Sequence, residues 1–198
     1  MASKDANNIV WIDMEMTGEV KDLFASYGIA FSSSGLDSRT EHILEIACII
    51  TDGDLAVVKE GPDLVIHQPA SVLEKMGPWC QKHHRESGLL AEVEASKLSV
   101  EEAEDKILKF VQQYTPPKQC PLGGNSVHAD RAFLQRYMPK LEEHLHYRII
   151  DVSTVKELCK RWYPRQSQKI KKAYQHRALA DIMESINELK FYRQSIFR

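Results

Sequence analysis

The sequence is poor in the features that mark most specialised protein classes. Its four cysteines, Cys48, Cys80, Cys120 and Cys159, form no C-x-x-C pair and are too widely spaced for a small disulfide framework. No apolar run approaches the roughly 20 residues that span a bilayer. The first eight residues, Met1 to Asn8, contain neither the apolar core of a signal peptide nor an Arg-rich amphipathic stretch. There is no internal repeat and no strong excess of either charge: 26 Lys and Arg face 28 Asp and Glu, a net charge of −2. That balance argues against a protein that tracks along long nucleic acid, which needs a basic face. A short anionic substrate is compatible with it. The default is a cytoplasmic globular protein without a membrane role.

What is present suits one folded domain. At 198 residues, with 43% hydrophobic and 27% charged, the chain can bury a sizeable core. The run Ile9 to Glu15 is short, apolar and β-branched and predicts a strand. Ile43 to Thr51 predicts a second strand, and Asp52-Gly53-Asp54 a turn into a third over Leu55 to Glu60. Leu64 to His67 predicts a further stretch after a Gly61-Pro62 break. Ser99 followed by Glu102 is a capping-box pattern, and Ala103, Ile107, Phe110 and Tyr114 continue it at helical spacing as far as Pro116-Pro117. Leu122 to Asn125 leads into a helix carrying Phe133, Leu134 and Tyr137. Tyr147 to Asp151 predicts a strand and Val155 to Trp162 a helix. A last helix shows Leu179, Ile182, Ile186 and Leu189 on one stripe. The pattern is α/β, a mixed sheet with antiparallel first strands flanked by helices. Residues 19–35, which include Ser32-Ser33-Ser34-Gly35, have no clear period and read as a loop insertion.

Four acids stand where apolar residues belong. Asp13 and Glu15, two apart on a predicted strand, project from the same face. A lone pair of this kind is most often a strand end leaving the core. Kept inside, two carboxylates repel and are costly to desolvate unless a cation compensates. A hard ion such as Mg²⁺ prefers oxygen ligands and keeps positions for phosphate and water. Asp130 shares the helix face that Phe133 and Leu134 turn inward, although helix capping would also explain it. Asp181 falls between Leu179 and Ile182 on the apolar side of the last helix, and His176 precedes that helix. A neutral imidazole can accept a proton from water near physiological pH. Any one of these sites has a bland explanation. Together they supply ligands for two metal ions of the kind that lie roughly 3.5–4 Å apart in phosphoryl transfer.

Three segments carry a resemblance. Trp11-Ile12-Asp13-Met14-Glu15-Met16-Thr17-Gly18, Gly124-Asn125-Ser126-Val127-His128-Ala129-Asp130 and His176-Arg177-Ala178-Leu179-Ala180-Asp181 resemble the three motifs of DEDD-type 3′→5′ exonucleases of the histidine subclass. Trp79-Cys80, Ser87-Gly88-Leu89 and His146 to Thr154 narrow the likeness to the oligoribonuclease family. The resemblance covers nearly the whole chain except residues 19–35.

It implies a ribonuclease H-like fold, a two-ion Mg²⁺ or Mn²⁺ site, and hydrolysis of very short RNA, dinucleotides above all, to 5′-mononucleotides. Asp13, Glu15, Asp130 and Asp181 would hold the metals, with His176 as general base. Trp79 would stack on a base. Ser126 and Ser153, with His146, Tyr147 and Arg148 from the partner chain of a homodimer, would hold the 5′ end. In the family a Leu follows the first-motif glycine and wedges against a base; here Glu19 follows, and Leu36, beyond the insertion, is the candidate for that position. The expectation is a single exonuclease domain over residues 1–198, cytoplasmic, with a mitochondrial or nuclear pool in other forms. Its rivals are an exonuclease preferring short DNA or longer RNA, and an oligonucleotide-binding protein that the insertion has weakened or disabled.

Overall fold

The computed structural model describes residues 4–18, 36–168 and 176–197. The expected insertion at 19–35 lies outside the described residues.

Three long strands form the antiparallel half of one sheet. β1 (Ile9–Met16) pairs with β2 (Ile43–Thr51), and β2 pairs with β3 (Val57–Val65). Every residue of β2 is buried because it lies between two strands and under helices on both faces, so it is apolar almost throughout. The chain then runs through α1 (Ala70–Leu73), α2 (Pro78–Glu86), α3 (Leu89–Ala95) and α4 (Val100–Tyr114). Ser99 and Glu102 close the expected capping box at the start of α4. β4 (Leu122–Gly124) adds parallel to β1, followed by α5 (His128–Tyr137) and α6 (Pro139–His144). β5 (Ile149–Asp151) adds parallel to β4, then α7 (Val152–Trp162), α8 (Pro164–Ser167) and α9 (Ala178–Ser195). The sheet order is β3-β2-β1-β4-β5, the mixed α/β sheet the sequence predicts.

Alternation along β1 divides the core. Val10, Ile12, Met14 and Met16 face α4, α5 and α6, packing with Ile107, Val111, Phe133 and Leu141. Ile9 and Trp11 face α7 and α9, packing with Val152, Cys159, Ile182 and Ile186. The Trp11 indole Nε1–H donates to Thr51 Oγ1 at 2.9 Å, so its polar edge is satisfied inside the core. No described helix is long and apolar enough to cross a membrane.

The structure differs from the sequence reading at two places in the sheet. The break predicted at Gly61-Pro62 is continuous strand in β3. The pairs Ile49–Glu60 and Ala47–Asp63 leave Gly61 and Pro62 together opposite Cys48, a bulge on an edge strand, where proline's missing N–H costs no ladder bond. Leu122 to Gly124, expected as a lead-in to a helix, is strand β4. Gly123 lies against the Trp11 ring, where a Cβ would come within 3.2 Å of it.

Gly61 predicts a measurable stability effect. A Cβ there would stand 2.7 Å from the Cys48 carbonyl oxygen and 2.5 Å from the Phe110 ring. The ring can turn; the carbonyl cannot. Gly61→Ala is expected to destabilise by about 1–3 kcal/mol, read as a lower thermal midpoint by circular dichroism. An unchanged midpoint would mean that β3 shifts without cost.

Candidate active site

The site forms where the ladder between β1 and β4 ends. Parallel pairing stops at Trp11 and Gly123, so the last residues of β1 have no strand on that side. The chain leaves β4 through Asn125 and turns at Ser126, whose φ of +52° is left-handed and strained for a residue with a side chain. α5 then starts beside the open edge of β1. Asp130, in its first turn and 6% exposed, reaches across and accepts a hydrogen bond from the Met14 amide.

Asp13 and Glu15 project from the α9 side of β1, both partly buried, and α9 brings Asp181 to them in its first turn. One donor atom each from Glu15, Asp181 and His176 lie within 4.8 Å of one another. His176 has φ +51°, the second strained non-glycine residue of the site. The four acids and the histidine singled out from the sequence therefore converge.

Their mutual repulsion marks the electrostatics. Burial, then Asp130, Glu15 and Asp181, holds the Asp13 carboxyl well above the usual carboxylate range. Burial and Asp181 raise Glu15 to about 8. Burial raises Asp130 to about 7, against the pull of its backbone hydrogen bonds. His176 moves the other way, lowered by burial and by His83, so its imidazole is neutral at physiological pH. Carboxylates that resist ionising in each other's company are the donor set a hard divalent cation satisfies.

Leu36, Met14 and Met16 line a cavity of about 380 Å³ together with Asp13, Asp130 and Ser126. Leu36 is thus beside the acids. Trp79, on α2, is 42% exposed. It stacks on His83 with centroids 3.9 Å apart and meets His176 edge-on at 5.5 Å. Ser126 and Ser153 bring their hydroxyl oxygens to 3.1 Å, where Asp151 Oδ1 accepts from both of their amides at 2.9 Å.

His146, Tyr147 and Arg148 are elsewhere. None is among the described residues lining the cavity, and Tyr147 is 71% exposed. Arg131 holds the His146 and Tyr147 carbonyls at 3.0 and 2.9 Å while pairing with Glu142, which braces that loop outward.

Three further groups belong to the site and escaped the sequence reading. His84, buried on α2, donates from Nε2 to the Met16 carbonyl at 2.9 Å, leaving Nδ1 without a hydrogen bond 4.0 Å from Glu15 Oε2. Asn125 donates to Ser185 and Glu188 and accepts from Ser153, tying the serines to α9. Glu45, opposite Glu15 in the register, is fully buried. Its signal was available: an acid in the middle of an otherwise apolar strand.

The comparisons agree with this geometry. Residues 10–189 match the model of an exonuclease family, RNase_T. The chain is 52% identical over 194 residues to the mitochondrial oligoribonuclease of Bos taurus, an alignment covering 98% of this chain and 75% of that protein. The chain belongs to the oligoribonuclease family. Solved structures share its fold at low identity. The zinc-bound complex of E. coli exonuclease I with single-stranded DNA superposes with a TM-score of 0.69 at 14% identity, covering 97% of this chain and 41% of the other. S. pombe Pop2p in its Mg²⁺- and Mn²⁺-bound form gives 0.63 at 13% identity, covering 96% and 84%.

The raised carboxyls make a pH prediction for metal-free protein. Each keeps its proton in the folded state at pH values where the unfolded chain has released it, so their contribution to stability is full below the ordinary values of 3.8 and 4.5. It is lost as pH rises through about 7 for Asp130 and about 8 for Glu15. In EDTA the thermal midpoint is expected to fall across that window, and added Mn²⁺ to restore it most at the alkaline end. A metal effect equal at both ends would break the link between these protons and the cation.

Proposed function

We propose that this protein is a 3′→5′ exoribonuclease that hydrolyses very short oligoribonucleotides, dinucleotides above all, to 5′-mononucleotides. Family membership carries the activity class. The observation that carries the site is the convergence of Asp13, Glu15, Asp130 and Asp181 with a neutral His176 at their edge.

In this reading Mg²⁺ or Mn²⁺ is held by the four carboxylates. When bound, the ions neutralise charge on the phosphodiester and stabilise the attacking and leaving oxygens. The protein's own groups do the rest. His176, uncharged and partly buried, accepts the proton of the attacking water. Trp79, exposed beside His176, stacks on a base; stacking of this kind contributes about 1–3 kcal/mol and tolerates any sequence. Leu36 supplies an apolar wall beside the acids. Ser126 and Ser153, prearranged by Asp151, offer hydroxyls to the 5′ end and so measure length rather than sequence. A substrate held at both ends needs no long basic track, in keeping with the net charge of −2.

The reading extends to a homodimer in which His146, Tyr147 and Arg148 of one copy complete the other copy's site. Their outward position supports this, as does the apolar face of α7. Leu158 borders the same shallow pocket as Ser126 and Ser153, and Trp162 is 66% exposed. One domain over residues 1–198 is part of the same proposal. Four buried cysteines that form no disulfide with one another fit a reducing compartment, the cytoplasm in the first instance. With all four acids and His176 gathered, a disabled binding module is the weaker reading.

A 5′-labelled RNA dinucleotide incubated with Mn²⁺ should be cleaved to mononucleotides, with EDTA abolishing turnover and rates falling as the RNA lengthens. Asp130→Asn should abolish turnover in a folded protein, and His176→Ala should lower kcat while Mn²⁺ affinity by calorimetry is kept. Equal rates on long RNA or short DNA would favour the broader exonuclease. The dimer has its own test: Asp130→Asn and Arg148→Ala proteins, each impaired alone, should recover activity when mixed. Absence of recovery in a mixture that exchanges subunits would place Arg148 in its own copy's site.

A further inference from the structure

Glu45 holds the residues that carry the chemistry without being one of them. Its side chain is 0% exposed in a strand that is otherwise apolar apart from its terminal Thr51. Removing a carboxylate from water is so costly that an apolar replacement is often equally stable or better. Here both oxygens are fully engaged, and both engage the same short segment. Oε1 accepts from Arg177 Nε at 2.9 Å and pairs with Nη2 at 2.7 Å, and Oε2 accepts from the Ala178 amide at 3.0 Å.

Ala178 is the first residue of α9, and Arg177 before it makes no side-chain cap for that helix. Glu45 supplies the missing cap from another strand, satisfying an amide that the helix itself cannot. The outer edge of the Arg177 guanidinium is clasped in turn by Glu92 of α3, at 3.1 and 2.9 Å. Asp63 of β3 also adjoins Glu45, and burial together with Glu45 raises its carboxyl to about 6.

The anchored segment is flanked by chemistry. His176 immediately precedes Arg177 and is strained at φ +51°; Asp181 follows in the first turn of α9. On the other side, Glu45 stands opposite Glu15 in the β1–β2 register. One side chain thus ties β2, the strand next to the metal-site strand, to the start of the helix that completes the site. A strained residue persists only where its surroundings over-determine it, and the Glu45–Arg177 grip is the determinant next to His176.

We propose that Glu45 is a positioning residue for the reaction: its grip on Arg177 and the Ala178 amide sets where His176 stands relative to Glu15 and Asp181. This rests on the reading of His176 as base. Glu92, 48% exposed in its side chain, is an outer brace of lesser effect.

The test compares Glu45→Gln, Arg177→Lys and Glu92→Gln. Glu45→Gln keeps the shape and an acceptor but loses the charge that holds Arg177, and Arg177→Lys keeps the charge but loses the fork. In metal-free protein the His176 ring protons feel ring currents from Trp79 at 5.5 Å and His83 at 5.2 Å, so their NMR shifts report its position. Both inner variants are expected to move those shifts. With Mn²⁺ and a short RNA, kcat should fall about tenfold or more, as misplacement of a catalytic group predicts, with KM changed by no more than about twofold. Glu92→Gln should stay within about threefold of the parent, as an exposed pair predicts.

Unmoved His176 shifts with unchanged kcat would overturn the proposal. So would a loss of rate that only tracks the unfolded fraction seen by circular dichroism. If Glu45→Gln does not fold, Arg177→Lys alone decides by the same readings. If the parent protein cleaves no RNA, the proposed function fails, while the His176 shifts still judge the positioning role.

Discussion

Four carboxylates share a space in which Asp13, Glu15 and Asp130 do not ionise easily. A globular core normally excludes such a group, because each buried charge raises the cost of the next. Asp13, Glu15 and Asp130 all retain protons well above the ordinary carboxylate range, through burial first and, for Asp13 and Glu15, through the neighbouring acids as well. Much of the surrounding architecture follows from holding them together. β4 is only three residues long, which leaves room at the edge of β1 for Asp130. α9 is capped from β2 rather than by its own flank. Two residues with side chains, Ser126 and His176, occupy left-handed backbone at the entry to the two helices involved. An apolar sandwich of the same topology would need none of these devices.

The site is assembled from elements distant in sequence, and their mutual position is fixed by polar contacts rather than by packing alone. Asp151 holds the two serine amides, Asn125 joins those serines to Glu188 on α9, and His84 joins α2 to the end of β1. Each contact links a group at the site to a neighbouring element. A mutation in this shell therefore acts on geometry before it acts on stability.

The central strands, the capped helix α4 and the four acids were legible in the sequence because each contradicts or fulfils a simple periodicity. An acid at Asp13 or Asp181 interrupts an apolar pattern, and an interruption is visible without coordinates. Glu45 interrupts one too, yet without a motif around it there was nothing to say what it touches; only the fold brings Arg177 to it across 132 positions. β4 was hidden by its brevity and its glycines, which have no side-chain pattern. β3 looked broken because proline usually ends a strand; its place at the sheet edge was a tertiary fact. Residues 146–148 are a third kind of case: they do not line the cavity, and no local pattern in the sequence could place a surface loop relative to it.

The bulged outer strand has a consequence for assembly. A free sheet edge invites a second molecule to continue the ladder, and unchecked continuation leads to fibres. On β3 that invitation is withdrawn: Pro62 has no amide hydrogen to offer, the bulge twists the backbone out of line, and Lys59, Glu60 and Asp63 crowd the rim with charge. Ladder extension from this edge is thereby disfavoured, whereas contacts made by side chains of helices and loops can form a closed and finite pair.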